Sequence, residues 1–391
     1  KGLDGLVACY VPGSVGGPDD AFVAHGFQPI VRKRRRVEQM ATVAEMVKRR
    51  PSLLADVVTH RKPFYLCDLC GLDGVIDISG YAYGDVTWGY SCIPETLAYT
   101  KHCRALGIPY IFMPQAFGPF ENTAYRGLFA AAFRNAPLLV CRDEQSCGHV
   151  AGLLDCPQTD VRSCVDIAFR FQGDGLEGGK AVLRQLGLEG KRVVGLVPNV
   201  RIYERTEGTG SANSYVQLLV GLVHELVRHG TSVLLLPHEI SASTLGSYDD
   251  RILVTMVESL AGEPEVRSIV EPMMAREMKA VIGNLDVLVS SRFHALIAAL
   301  SQGVPVACVG WSHKYEELLK PFRLEGLVIP HDNLDPVKAK CVIESLLGER
   351  DQHAERIRQA LPSHHSAVDA LFHEVAELIL EKGSGTVDGQ V

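Results

Sequence analysis

No apolar run in these 391 residues approaches the roughly 20 that a membrane-spanning helix needs, so no membrane-spanning helix is expected among them. Nor does any stretch read as a signal peptide. Positive charge is in short supply: 39 Lys and Arg face 46 Asp and Glu, for a net charge of −7. A general nucleic-acid binder would need a basic footprint, so no nucleic-acid partner is expected. The run Arg32-Lys33-Arg34-Arg35-Arg36 is the exception. It reads as a solvated helix face or as a contact with an anionic polymer or membrane surface, hence peripheral membrane association.

A metal-ligand cluster is missing as well. Cys67-Asp68-Leu69-Cys70 is a single CxxC with no second pair, whereas a structural zinc takes four ligands, so no metal is expected. There is no disulfide frame either. The eleven cysteines are odd in number and irregular in spacing, and several, such as Cys141 and Cys308, sit in apolar runs. That pattern fits reduced, buried thiols and a cytoplasmic protein.

What the chain does have is apolar material for two cores, with 47% hydrophobic and 22% charged residues. Strand-like runs alternate with helical patterns, the mark of βαβ units and parallel sheets. Strands are expected at 6–11, 74–78, 110–113 and 138–141, then at 193–197, 232–236, 266–269, 286–290, 304–309 and 326–329. Helices are expected near 37–49, 94–106, 123–134, 213–229, 249–262, 273–282, 292–302 and 314–321, with a last amphipathic one at 365–382. The glycine-rich FQGDGLEGG at 171–179 is the best linker. This predicts an α/β protein with two Rossmann-like domains facing a cleft, 1–172 and 180–362, and a C-terminal helix and tail at 363–391.

The richest stretch is 285–310, LDVLVSSRFHALIAALSQGVPVACVG. It reads as strand, helix and strand, with Ser291 as N-cap and Gly303 just past the helix end. Arg292 and His294 fall in the first helical turn, where the helix dipole favours acids, so the pair is expected to face an anion. Other strand ends carry further basic groups: Arg201 in PNVR, His238 in PHE, and His313 with Lys314 in WSHKY. Their alignment points to a cationic pocket for a small, multiply charged anion. In the first half, the loop SGYAYGDVTWG offers Gly80 for close backbone approach, Tyr83 with Tyr81 and Trp88 to stack on a sugar, and Asp85 as base or hydroxyl acceptor. Gln115 sits in an apolar turn, where it orients substrate or satisfies its own backbone. Arg142 reads as paired with a neighbouring acid.

The run SSRFHALIAALSQGVPVACVGWSHKYEELL, with ISGYAYGD, MPQAFGPF, CRDEQS, VDIAF, GLVPNVR and LPHE…YDD in that order, resembles the polysaccharide pyruvyl transferase family. The likeness spans roughly 75–320. It implies a GT-B-like fold, with an acceptor side in the first domain and an anionic donor side in the second. It also implies phosphoenolpyruvate as donor substrate, with no other cofactor, and transfer of the pyruvyl group to sugar hydroxyls as a ketal on a glycan or lipid-linked acceptor. It assigns Arg292 and His294 to the donor, with Arg201 as a further match. Chemistry adds an acid, His294 or His238, to protonate the enol carbon, and Asp85 as base. Lys314 and Arg201 would join Arg292 in stabilising the leaving phosphate. The departure from the family is Gly13 to Asp20, only a loose echo of its N-terminal glycine loop. Two rival readings remain: a GT-B-like glycosyltransferase or epimerase using a nucleotide sugar, with Glu316 or Glu317 toward the ribose, and a non-catalytic anion or sugar binder.

Overall fold

The computed structural model describes residues 72–240, 249–310 and 314–383, with Leu69 and the backbone of two short strands at 7–10 and 27–29. The basic run, the Cys67/Cys70 pair, the 13–20 loop, the expected 37–49 helix, His313 and the Trp88 side chain lie outside the described residues. The chain divides into two units. Unit 1 is Lys1–Asp166 with Ala367–Val391, and unit 2 is Ile167–Ser366. The expected linker lies within unit 2, just beyond this division.

Unit 1 is built on β1 (Val7–Tyr10), β2 (Phe27–Pro29), β3 (Gly74–Asp77), β4 (Tyr110–Gln115), β5 (Leu138–Cys141) and β6 (Arg162–Ser163). They form one sheet in the order β2-β1-β3-β4-β5-β6, every pair parallel. The winding reverses between β1 and β3, and open α/β sheets hold ligands beyond the strand ends at such a point. Strands β2 and β6 escape the sequence pattern because three and two residues are too short to show a period. The helices are α1 (Thr87–Leu106), α2 (Thr123–Arg134) and α3 (Glu144–Leu154). Helix α1 begins seven residues before the expected start because Pro94, which reads as a first-turn residue, lies inside it. Asn122 caps α2 and Asp143 caps α3 through side-chain oxygens. The core is aromatic: Tyr83, Phe112, Phe117, Phe120, Phe129 and Phe133 pack together, Tyr83 stacked on Phe117 at 6.1 Å.

Unit 2 carries β7 (Val193–Val197), β8 (Ser232–Leu235), β9 (Val266–Ser268), β10 (Val287–Ser290), β11 (Val306–Gly310) and β12 (Val328–Pro330). They pair in parallel in the order β12-β11-β10-β7-β8-β9. Counted within the unit this is the 3-2-1-4-5-6 winding of dinucleotide-binding folds, with its switch point between β7 and β10. The apolar strands are buried on both faces, which is why they read as continuous hydrophobic runs. The helices are α4 (Leu176–Gln185), α5 (Val200–Tyr203), α6 (Ser214–Arg228), α7 (Arg251–Ala261), α8 (Ala275–Ile282), α9 (Phe293–Leu300), α10 (Lys314–Leu319), α11 (Pro336–Gly348) and α12 (Arg350–Gly383).

The glycine-rich run packs rather than links. Asp174 N–H donates to the Arg276 carbonyl at 3.3 Å, and a Cβ on Gly179 would lie 2.1 Å from the Ala280 carbonyl oxygen. Only glycine lets α4 approach α8 this closely. Helix α12 starts 15 residues before the expected 365, running through Pro362. Its second half belongs to unit 1 and buries Val368, Leu371, Val375 and Ile379, spaced three and four apart. No helix among the described residues is long and apolar enough to cross a membrane.

Candidate functional site

In unit 1, the end of β3 is a sealed polar knot. Asp77 is fully buried, and its Oδ2 accepts from the Tyr83 hydroxyl at 2.5 Å and the Tyr110 hydroxyl at 2.8 Å. Its Oδ1 accepts from Ser79 N–H and Oγ–H, and from Gln115 Nε2 at 3.4 Å. Burial pushes the carboxyl above its usual range, and the Ser79 and tyrosine hydrogen bonds pull it back. Three expected site residues are therefore corrected. Tyr83 has no exposed ring to offer a sugar, because it forms the core and holds Asp77. Gln115 is buried beside Asp77, with its Oε1 unpartnered, rather than aimed at substrate. Asp85 braces the next loop, where Oδ2 accepts from the Glu121 N–H at 2.6 Å and the Asn122 N–H at 3.2 Å. Its Oδ1 is shielded, so it is not placed to act as base. Gly80, at φ +73°, stays open: its carbonyl accepts from Ala116 N–H at 2.9 Å, and nothing lies where a Cβ would point. Arg142 pairs with Asp166 at 3.1 Å, as its sequence context suggests.

Replacing Asp77 by Ala should lower the stability of unit 1 by about 3 kcal/mol or more, because two phenols and an amide lose their buried acceptor together. Chemical denaturation followed by tyrosine absorbance checks this. Asp77→Asn, which keeps one acceptor oxygen, should cost less.

In unit 2, the ends of β7, β8 and β10 are tied together around two residues. The first is Ser291. Its Oγ accepts from the Tyr215 hydroxyl at 2.7 Å, and its carbonyl accepts from Asn199 Nδ2 at 2.9 Å and the Tyr315 hydroxyl at 3.0 Å. Ser291 is thus not the N-cap of α9. That position falls to Arg292, whose extended backbone (φ −109°, ψ 124°) leads into Phe293. Gly303 does adopt the left-handed turn beyond the helix, at φ +79°.

The second residue is Asp250, which is 0% exposed. It accepts from the backbone N–H groups of Val200, His238 and Glu239 and from Arg292 Nε at 2.8 Å and Nη2 at 2.5 Å. Arg292 Nη1 reaches Glu239 at 2.5 Å, and Glu239 also receives Arg201 Nη2 at 3.0 Å. The expected cationic pocket is corrected here. Arg292 and Arg201 do converge on one place, but two carboxylates of the protein cancel their two charges. The basic residue at the helix start does face an anion, and that anion is Asp250 with Glu239. The sequence displayed both acids, in PHE and YDD, yet spacing gives no sign that they would meet these arginines. Lys314 lies over the rings of Phe293 and Tyr315, at 5.6 and 5.3 Å.

Beside this knot is a recess of about 280 Å³, wholly within unit 2. Its walls are apolar, including Phe171, Met278, Ile282, Ile297 and Ala298, and its polar side chains are His238, His294 and Lys279. His238 keeps solvent contact on one side and is otherwise enclosed. Desolvation, with Coulombic interactions from His294 and the Arg292 guanidinium, holds its pKa well below the usual histidine range, so it is neutral at pH 7. Lys279 was missed in the sequence. Its signal is a lysine on the buried face of α8, flanked by Met278 and Ile282. Elsewhere, Glu225, His229 and Glu344 cluster closely enough to hold a cation, but Arg228 and Lys340 already pair with Glu225.

Three solved structures share the architecture at low identity. The HepE protein of Anabaena, in complex with UDP and glucose, superposes with a TM-score of 0.56 at 11% identity, covering 96% of this chain and 99% of its own. The UDP-GlcNAc 2-epimerase of Neisseria meningitidis, bound to UDP-GlcNAc, gives 0.50 at 13%, over 93% and 88%. A UDP-forming α,α-trehalose-phosphate synthase of Burkholderia xenovorans gives 0.51 at 10%, over 80% and 74%. These likenesses establish the two-sheet, GT-B-like α/β fold. The family model for polysaccharide pyruvyl transferases matches residues 17–313. That span takes in strands β2 to β11 and the Arg292–His294 turn, and the chain belongs to the polysaccharide pyruvyl transferase family.

Proposed function

We propose that this protein transfers the pyruvyl group of phosphoenolpyruvate to two hydroxyls of a sugar on a glycan or lipid-linked acceptor, in the cytoplasm, forming a ketal and releasing phosphate. The observation that carries the reading is the recess at the β8 and β10 ends, which pairs a neutral histidine with a second histidine in apolar walls. Its volume falls just below the range typical for drug-sized ligands, which suits a three-carbon acid better than a nucleotide sugar.

Two histidines in different environments divide acid and base roles. His294 protonates C3 of the donor as the C2–C3 π pair takes the proton. The electrophilic C2 is attacked by one sugar hydroxyl, whose proton passes to neutral His238. The second hydroxyl then attacks C2, its proton passing to His294, which lost its own to C3, and the C2–O bond to phosphate breaks with its electron pair on the phosphate. Arg292 and Arg201, with Lys314 and His313, stabilise that charge. Because Glu239 occupies the two arginines, the donor phosphate takes the place of this half-exposed carboxylate, while buried Asp250 keeps Arg292 in position.

Glu239→Gln is therefore expected to tighten phosphoenolpyruvate binding at least threefold in a calorimetric titration. Weaker binding would make Glu239 a positioning residue and remove the exchange. The activity itself is tested by phosphate release from phosphoenolpyruvate across a panel of glycan and lipid-linked acceptors. Acceptor-dependent release is expected. Stabilisation by a UDP-sugar without any phosphate release would favour a nucleotide-sugar enzyme instead.

A further inference from the structure

We propose that Lys279 is the residue that fixes the carboxylate of the ligand in the unit 2 recess, with the ligand's short carbon body against Ile282, Ile297 and Ala298. The inference rests on the reading of this recess as the donor site and names the group that anchors the donor there.

Lys279 is 5% exposed, and its Nζ donates to the Phe171 carbonyl at 2.6 Å. The same Nζ lies 5.7 Å from the centre of the Phe171 ring, but an ammonium carries three N–H donors, so one carbonyl and one ring face leave donor capacity to spare. Among the described residues no carboxylate pairs with it. This sets it apart from Arg292 and Arg201, whose charges are cancelled by Asp250 and Glu239. On the packed helix α4, the nearby charges Glu177 and Lys180 pair with each other at 2.7 Å. The ionisable side chains that share the recess are His238 and His294, and neither brings negative charge. Lys279 is thus a buried cation with no counter-ion from the described protein.

Such an arrangement opposes folding. Burial alone lowers the lysine to about 8 from its usual 10.5. The folded state then gives up its proton before the unfolded state does. Stability gained from this group rises with pH between about 8 and 10.5, and the charged form is disfavoured below that window. A methionine would fill the same face of α8 without this penalty. Residues that cost stability in a pocket are those a ligand completes. A carboxylate at Lys279 supplies the missing counter-charge, and the apolar walls accept a short carbon skeleton.

The test is calorimetric titration of phosphoenolpyruvate, pyruvate and inorganic phosphate into the full chain and into Lys279→Met. The variant should bind phosphoenolpyruvate and pyruvate at least tenfold more weakly and phosphate unchanged, with a melting temperature equal to or above that of the parent. Parent affinity for pyruvate should fall about tenfold per pH unit above about 8, while the variant stays flat; a lysine that only braces Phe171 gives no such slope. Equal binding of both carboxylates by parent and variant overturns the proposal. If the parent binds pyruvate but not phosphoenolpyruvate, and Lys279→Met abolishes this, the donor reading falls and the lysine assignment stands. If the parent binds neither, both fall.

Discussion

Arg292→Ala is expected to lower the stability of unit 2 by about 3–5 kcal/mol, seen as an early unfolding transition in guanidinium or urea. The size follows from what stays behind. Asp250 is 0% exposed and has Arg292 as its cation, through Nε and Nη2. Its other donors are the backbone N–H groups of Val200, His238 and Glu239, so losing the arginine leaves a buried carboxylate without a counter-charge. Those same bonds hold the ends of β7 and β8 against β10, and the damage will spread to the loop bearing His238. Loss of activity in Arg292→Ala would thus say little about donor contact. A double variant, Arg292→Met with Asp250→Asn, should recover a good part of the stability. Failure to recover would mean that the arginine acts mainly through packing.

His294→Gln is expected to lower kcat by about 10²–10⁴-fold with a much smaller change in donor affinity, as removal of a general acid does. The residue is exposed at the start of α9, with its ring edge-on to Phe293 at 5.7 Å. The folded state should therefore survive, and its melting temperature serves as the control. His238→Gln should reduce the rate too, but its pH profile should differ. His238 is held neutral, so its removal deletes a proton acceptor at neutral pH. Equal losses in kcat and affinity for His294→Gln would reduce it to a binding contact.

The fold was legible because burial on both faces leaves a plain trace. The runs that became β7, β8, β10 and β11 are apolar apart from Ser232 and Ser290 at strand ends, and their order is enough to suggest doubly wound sheets. Local rules failed where tertiary packing overrode them. Pro94 marks a helix start by local chemistry, and Pro362 lies just before the expected start at 365, yet both lie inside long helices. The glycines near 171–179 mark a linker by composition, yet Gly179 is there so that α4 can lie against Ala280. The site was legible only in part. Arg201, His238, Arg292 and His294 follow strand ends, and the sheet order brings those ends side by side. What the chain order hides is pairing across the gaps: Asp250 reaches Arg292 over 42 residues, and Tyr110 reaches Asp77 over 33. Sequence reasoning counted cations and did not count the acids that would meet them. It also passed over Lys279, since one lysine among apolar helix positions reads as a snorkelling side chain.

The central claim is that the unit 2 recess holds a three-carbon acid phosphate for pyruvyl transfer. A crystal structure of the full chain soaked with phosphoenolpyruvate tests it most directly. The account predicts ligand density in the recess, with the carboxylate on Lys279, C3 facing His294, and the phosphate on Arg292 and Arg201 with Glu239 swung away. Density elsewhere, or an unchanged Glu239 bridging both arginines beside an empty recess at saturating donor, would contradict it.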